Sequence, residues 1–304
     1  MDRVMAGGAA GAARSGGALI LRRRAPGTGA PRGRGAIRAR IGRIRGHAAL
    51  AGARAGRNNE SAHFERFFSS RIRSDAMNVS TAHAAERVGP AFSADGMLLA
   101  REQTRRAIHD IASRVAPGMR EEEAVTMAKQ RLAEAGMTLS WHPTRVRFGR
   151  NTLKPMKRSS EPGVVLRDGD LFFIDIAPRV GAWEGDGGAS FVAGAHAEHA
   201  RCAADAERLF HDVRGVWASR GLSGQALYAY AAETARKMGW DLNLDLPGHR
   251  VADFPHAALH TGALADLDVA PSALRWILEV HLLDPARRFG AFFEDMLLDD
   301  TYYA

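Results

Sequence analysis

The stretch GDLFFIDIAPRVGAWEGDGGASFVAG, Gly169 to Gly194, decides how this chain is read. Two apolar runs of strand character flank a turn that carries Pro178 and Gly181. Each run contains a residue that a strand interior resists. Asp175 sits among Leu171, Phe172, Phe173, Ile174 and Ile176, and Asp186 opens the run that continues to Phe191 and Val192. A buried, unpaired carboxylate is costly, so both aspartates need a partner.

Upstream of this hairpin, Thr104, Ala107, Ile108, Ile111, Ala112 and Val115 recur at helical steps until Pro117-Gly118. A second helix is predicted over REEEAVTMAKQRLAEAG, with Glu121 to Glu123 in its first turn and Gly136 as its stop. The design returns downstream. Ala206, Leu209, Phe210, Val213, Val216 and Trp217 form one helical face ended by Gly221, and Ser223 caps a further helix that stops at Gly239. Gly118 to Gly136 and Gly221 to Gly239 are both 18 residues apart, and GMTLSW after the first pair mirrors GWDLNL after the second. The pattern predicts an α/β domain of two helix-helix-strand halves related by a pseudo-twofold axis.

Three more polar residues interrupt strand-like runs in the second half. These are His249 in LPGHRVADFPH, Glu279 in WILEVHLL and Glu294 in FGAFFEDMLL. Any one of them alone reads as an exposed acid or a hydrogen-bonded histidine. With Asp175 and Asp186 they make four carboxylates and one imidazole, no Lys lies in these segments, and Arg250 could neutralise only one or two. A shared cation resolves the conflict. Oxygen and nitrogen donors without thiolate suit Mn, Co, Fe or Zn. Four carboxylates exceed the needs of one ion, so two divalent metal ions that activate a bridging water are the economical arrangement.

Composition narrows the partners. Of 42 basic and 34 acidic residues, 16 and 4 fall within residues 1–75, leaving 26 and 30 beyond. The basic balance therefore belongs to a leader, and nucleic acid is not expected as a partner. Residues 1–76 are Arg/Gly/Ala-rich and lack the apolar content for a core. They read as a disordered tail, a targeting leader or, preferred, sequence upstream of a true start at Met77; the folded domain is expected over 77–304. No apolar run reaches the length of a membrane span. The single cysteine, Cys202, rules out an intrachain disulfide and fits a reducing, cytoplasmic setting.

The segments DLFFIDIAP, EGDGGASFVAG, PGHRVADFPH, ILEV and FFEDMLL together resemble the superfamily of methionine aminopeptidase, aminopeptidase P and prolidase. The resemblance runs from about residue 95 to the C-terminus and keeps the order Asp, Asp, His, Glu, Glu. The spacings fit too: 11 from Asp175 to Asp186, 30 from His249 to Glu279 and 15 from Glu279 to Glu294. It implies the pita-bread fold, a duplicated α/β domain around a curved antiparallel sheet. It also implies that Asp175 chelates one metal, that His249 and Glu279 bind the other, and that Asp186 and Glu294 bridge the two. A metal-bridging water would attack the amide of a small peptide, with Glu279 accepting a proton and His256 contacting the substrate. Xaa-Pro peptides are the expected substrate class, and a homodimer remains open.

Departures from the family pattern are specific. Lys157 stands 18 residues before Asp175, where these peptidases usually have a histidine, and His142 is 33 residues before it. Arg250 replaces the usual Gly after the ligand His, and Ala189-Ser190 replaces an Arg-Thr pair. These changes are expected in the substrate shell. Hydrolysis of a non-peptide C–N bond and a binding protein of the same fold are the alternatives.

Overall fold

The computed structural model describes residues 83–302, and the expected leader at residues 1–76 lies outside the described residues. Helix α1 (Ala94–Ala112) starts on Ser93, whose hydroxyl accepts from Gly96 N, and it buries Met97, Ala100, Ala107, Ile108 and Ile111. Helix α2 (Glu121–Glu134) opens on its three acids, and Glu123 reaches back to accept from Arg120 N at 2.9 Å. Helix α3 (Ala197–Arg220) ends at Gly221, and α4 (Gly224–Lys237) is capped by the Ser223 hydroxyl. Gly136, Gly221 and Gly239 have positive φ and end their helices as expected, whereas α1 ends already at Ala112 and Gly118, also at positive φ, lies in a separate Pro117-Gly118 turn six residues on.

The strands in chain order are β1 (Arg145–Phe148), β2 (Leu171–Ile176), β3 (Arg179–Val180), β4 (Trp183–Glu184) and β5 (Gly187–Val192). They continue with β6 (Asp241–Leu242), β7 (His249–Arg250), β8 (Trp276–Leu283) and β9 (Gly290–Met296). Seven of them form one sheet, ordered β1-β2-β5-β9-β8-β6, with β7 also paired to β8. Every pairing is antiparallel. One half is β1-β2-β5 and the other β9-β8 with β6 and β7, and the seam runs between β5 and β9.

Alternation along the strands separates a packed face from a working face. Phe172, Ile174 and Ile176 pack with Ile108, Ile111 and Leu132 of the first helix pair. Leu278, Val280, Leu282 and Phe293 pack with Leu209, Phe210 and Leu227 of the second. Ala189 of β5 touches both clusters. Both helix pairs therefore cover the same side of the sheet. The opposite side carries Asp175, Glu279 and Glu294, beside a small apolar cluster of Phe173, Leu246 and Phe292.

Two local expectations change. The hairpin of residues 169–194 is not one turn between two strands, because β3 and β4 form a second small hairpin between β2 and β5. The mirrored segments after the helix pairs also differ. Asp241–Leu242 pairs with β8, whereas Ser140 makes only an isolated bridge to Pro178. Arg179 N donates to Leu139 O and Trp141 N to Ala177 O, so the first segment is drawn onto the bend after β2 instead of the sheet edge.

Candidate metal centre

The sheet ladder puts three carboxylates in one row. Asp175 lies opposite Gly188, Gly188 opposite Glu294, and Glu294 opposite Glu279. A Cβ at Gly188 would stand 2.5 Å from the Phe292 ring and 3.0 Å from Ile174 O, so the row has no room for a side chain there. Asp186 enters just before β5, and His249 on β7 pairs with Ile277, two residues before Glu279. All four carboxylates are buried.

His142 joins them. Its Nε2 lies 3.2 Å from Asp186 Oδ1 and 3.7 Å from Asp175 Oδ1, while His249 Nε2 lies 3.1 Å from Asp186 Oδ2. Asp186 thus faces one imidazole on each oxygen. The other ring nitrogens face carbonyls, His249 Nδ1 at 2.9 Å from Arg250 O and His142 Nδ1 at 3.2 Å from Pro143 O. A carbonyl only accepts, so each Nδ1 donates and each Nε2 is the atom turned to Asp186.

Electrostatics pull these groups apart. Burial opposes charge on both histidines, but the surrounding carboxylates outweigh it and hold His142 at about 9 and His249 at about 10. Burial also raises Asp175, to about 7, with Asp186 and Glu279 adding to it against His142. Asp186 goes the other way, to about 2, because His142 and His249 overcome its burial. Glu279 and Glu294 are raised, first by burial and then by neighbouring carboxylates.

The donor set fits a divalent cation. Asp175 Oδ1, Asp186 Oδ2 and Glu294 Oε1 are buried without an aligned hydrogen-bond donor, a cost that a cation removes. Two groups are tight enough to hold an ion, with ligand atoms within 4.8 Å of one another: His142, Asp175 and Asp186, and then Asp186, His249 and Glu294. Asp186 belongs to both. Glu279 lies outside them; its Oε2 accepts from Gly248 N at 2.8 Å, and its backbone is gripped by the Tyr228 hydroxyl.

A cavity of about 250 Å³ opens over these acids, with Trp141, His142, Met156, Lys157, Leu246 and His249 in its wall. Trp141 anchors its Nε1 on Gly185 O at 2.9 Å and meets three imidazoles edge-on: His142, His249 and His256 at 4.7, 5.3 and 5.1 Å between centroids. Lys157 is placed by the buried Arg147, whose guanidinium donates to the carbonyls of Asn151, Lys154, Pro155 and Arg158 and so folds that loop around itself. His256 begins a short 3-10 turn. Glu184 accepts from His256 N at 3.0 Å and lies 2.7 Å from its Nδ1, and its Oε2 also accepts from Ala252 N.

Two of the expected substrate-shell changes prove to be structural. Arg250 is buried, donates to Arg275 O and Arg87 O, and has Glu86 at 3.9 Å; it neutralises none of the four central acids. Ser190 ties β5 to β9 through Phe292, and Ala189 faces the helices. Both residues have their side chains committed to the scaffold. Lys157, in contrast, does line the cavity. Sequence reasoning missed Trp141, His142 and Glu184 as site residues. The usable signal was the repeat, since His142 precedes β1 in one half as His249 opens β7 in the other.

A model of metallopeptidase family M24 matches residues 95–298. The fold is similar to that of prolidase from Pyrococcus horikoshii, with a TM-score of 0.54 and 15% identity over 67% of this chain and 58% of that one. X-Pro aminopeptidase from Thermotoga maritima is similar with a TM-score of 0.54 and 18% identity, covering 78% of this chain and 67% of that one. Prolidase from Pyrococcus furiosus gives 0.56 and 16%, covering 80% and 71%. No curated protein matches the chain. The duplicated halves, the antiparallel sheet and the match over residues 95–298 agree with the pita-bread fold, and the chain belongs to metallopeptidase family M24.

Proposed function

We propose that this protein is a dinuclear metal-dependent hydrolase that cleaves an amide bond near the N-terminus of a small peptide, with Xaa-Pro bonds as the first candidates. The observation that carries this reading is the two-sided Asp186, buried between His142 and His249 with orphaned carboxylate oxygens around it. Asp175, Asp186, His249, Glu279 and Glu294 would hold two divalent ions. When bound, such ions lower the pKa of water and polarise a carbonyl.

The chain's own residues complete the chemistry. Glu279, held in place by Gly248 N, would accept the proton released during attack. His256, oriented by Glu184, would donate a hydrogen bond to the oxygen on which charge develops. Trp141 would limit the ligand's length against the histidine edges. A cavity of about 250 Å³ suits a dipeptide-sized ligand better than a folded protein. The prolidase and X-Pro aminopeptidase names of similar structures support Xaa-Pro substrates. Lys157 in the cavity wall favours the second reading, a non-peptide C–N bond on the same centre.

The test is metal content and turnover of the full chain on dipeptides and Xaa-Pro peptides with added Mn, Co or Zn. Two ions per chain and peptide turnover abolished by Asp186→Ala support the proposal. Metal uptake without peptide turnover transfers the centre to the second reading, and no uptake rejects both.

A further inference from the structure

We propose that His142 is a sixth metal ligand, so that each of the two metal positions carries one imidazole. This rests on the dinuclear reading above and adds to it a residue outside the five ligands proposed there. Three observations lead to it.

The first is geometry. Ligand atoms sharing one ion, with bonds of about 2.1 Å, lie roughly 3.0–3.4 Å apart at right-angle to tetrahedral angles. His142 Nε2 and Asp186 Oδ1 are 3.2 Å apart, against 3.1 Å for His249 Nε2 and Asp186 Oδ2. The two imidazoles stand in equivalent relation to the two oxygens of one carboxylate, and Asp175 Oδ1 lies on the His142 side at 3.7 Å, wider than that range but within the same tight group of ligand atoms.

The second is ring orientation. A ligating histidine donates its other N–H to a carbonyl or carboxylate, which fixes the tautomer. His142 does this through Pro143 O, as His249 does through Arg250 O. Trp141 then holds both rings edge-on, so neither swings freely.

The third is the unmet demand on that side. Asp175 Oδ1 is buried without an aligned donor, and His142 is too far from it for a hydrogen bond. A cation between them satisfies both. With nitrogen on each side, the centre should favour the imidazole-preferring ions, zinc and cobalt, over manganese.

X-ray absorption of the zinc-loaded wild type counts imidazoles without any substitution. One imidazole per zinc at two zincs per chain is the expected result; one imidazole for every two zincs overturns the proposal. Chelator competition on His142→Ala should then show one ion weakened about 10- to 100-fold or more and the other unchanged, with an altered visible spectrum of the cobalt form. His142→Asp should recover two-ion binding with a shift toward manganese. If His142→Ala keeps both ions at wild-type affinity, His142 is no ligand and the dinuclear reading stands. One zinc bearing two imidazoles keeps His142 as a ligand and rejects the two-ion arrangement. A wild type that takes up no zinc rejects both readings.

Discussion

The two halves of the sheet solve the same problem differently. In the second half, Glu279 and Glu294 face each other directly across the β8–β9 ladder, where like charges repel. In the first half, Asp175 faces Gly188 and the second carboxylate, Asp186, comes from just outside the ladder. The small β3–β4 hairpin makes that displacement by interrupting the run between β2 and β5. Asp186 thereby lies between a histidine from each half, at 3.2 Å from His142 and 3.1 Å from His249. Each half contributes two acids and one imidazole, and Asp186, displaced from the ladder, is the residue common to both candidate clusters.

The sharpest way to break this comparison is Asp186→Ala. It removes the group common to both tight clusters, so hydrolysis should fall by more than the roughly 100-fold upper range of an outer-shell substitution. Metal content should fall with it, as measured on dialysed protein. Asp175→Ala should affect chiefly the His142 side. Equal loss of both ions from Asp175→Ala, with Asp186→Ala milder, would show that the two sides are not joined through Asp186.

Most of the fold was legible because helix stops and strand alternation are local signals. The glycines at 136, 221 and 239 announce left-handed helix stops that the backbone adopts, while the turn at Gly118 comes six residues after its helix has ended at Ala112. The carboxylates stood out because Asp175, Glu279 and Glu294 violate apolar strands. His142 violates nothing: it lies in an irregular run where a polar residue is ordinary, and only the chain's return past Ala177 and Arg179 brings it to Asp186. Arg250 misled for the complementary reason. It is adjacent to His249 in sequence, but successive strand residues point to opposite faces, and its guanidinium goes to Arg87 O and Arg275 O.

His281 tests how the halves depend on each other. It sits on β8 and reaches Thr152 O in the first half with Nε2 at 2.7 Å, while Nδ1 meets the Asn243 amide at 3.0 Å. Donating from Nε2 and accepting at Nδ1, the neutral ring is fully satisfied. Burial pulls its pKa down to about 4, with Thr152 opposing and Arg147 adding to the fall. The unfolded chain, with a histidine pKa of about 6.5, therefore binds the proton first. The stabilisation is complete above about pH 6.5 and is lost as pH falls toward 4, by about 3 kcal/mol in total. Urea unfolding of wild type and His281→Gln between pH 7 and 4 should show the wild type losing more, by most of that amount. Parallel losses would remove His281 from the joint.

Glu184 and His256 form a second link between halves, with a smaller expected effect. Glu184→Gln keeps a hydrogen-bonding side chain but loses the charge beside Nδ1 of His256. Turnover should drop about tenfold, less than the roughly 100-fold or more of a group that transfers the proton itself, because Glu184 acts only through His256, with metal content unchanged. A drop in metal content instead would assign Glu184 to the scaffold of the centre.

The seam itself carries the mildest prediction. β5 and β9 share one paired register position, Gly188 with Glu294, and beside it the Ser190 hydroxyl replaces a backbone partner. Phe292 N donates to Ser190 Oγ at 2.7 Å, and Ser190 Oγ donates to Phe292 O at 2.9 Å. Ser190→Ala leaves that N–H and carbonyl without their partner, which costs about 1–3 kcal/mol when a buried group is orphaned. Ser190→Thr retains the hydroxyl and should stay near wild type. Denaturant unfolding of the two variants separates the hydroxyl from mere side-chain size. If Ser190→Ala also loosens metal while Ser190→Thr does not, the seam sets the spacing of Asp186 and Glu294; if stability falls and metal affinity holds, Asp186 keeps its place through the histidines alone.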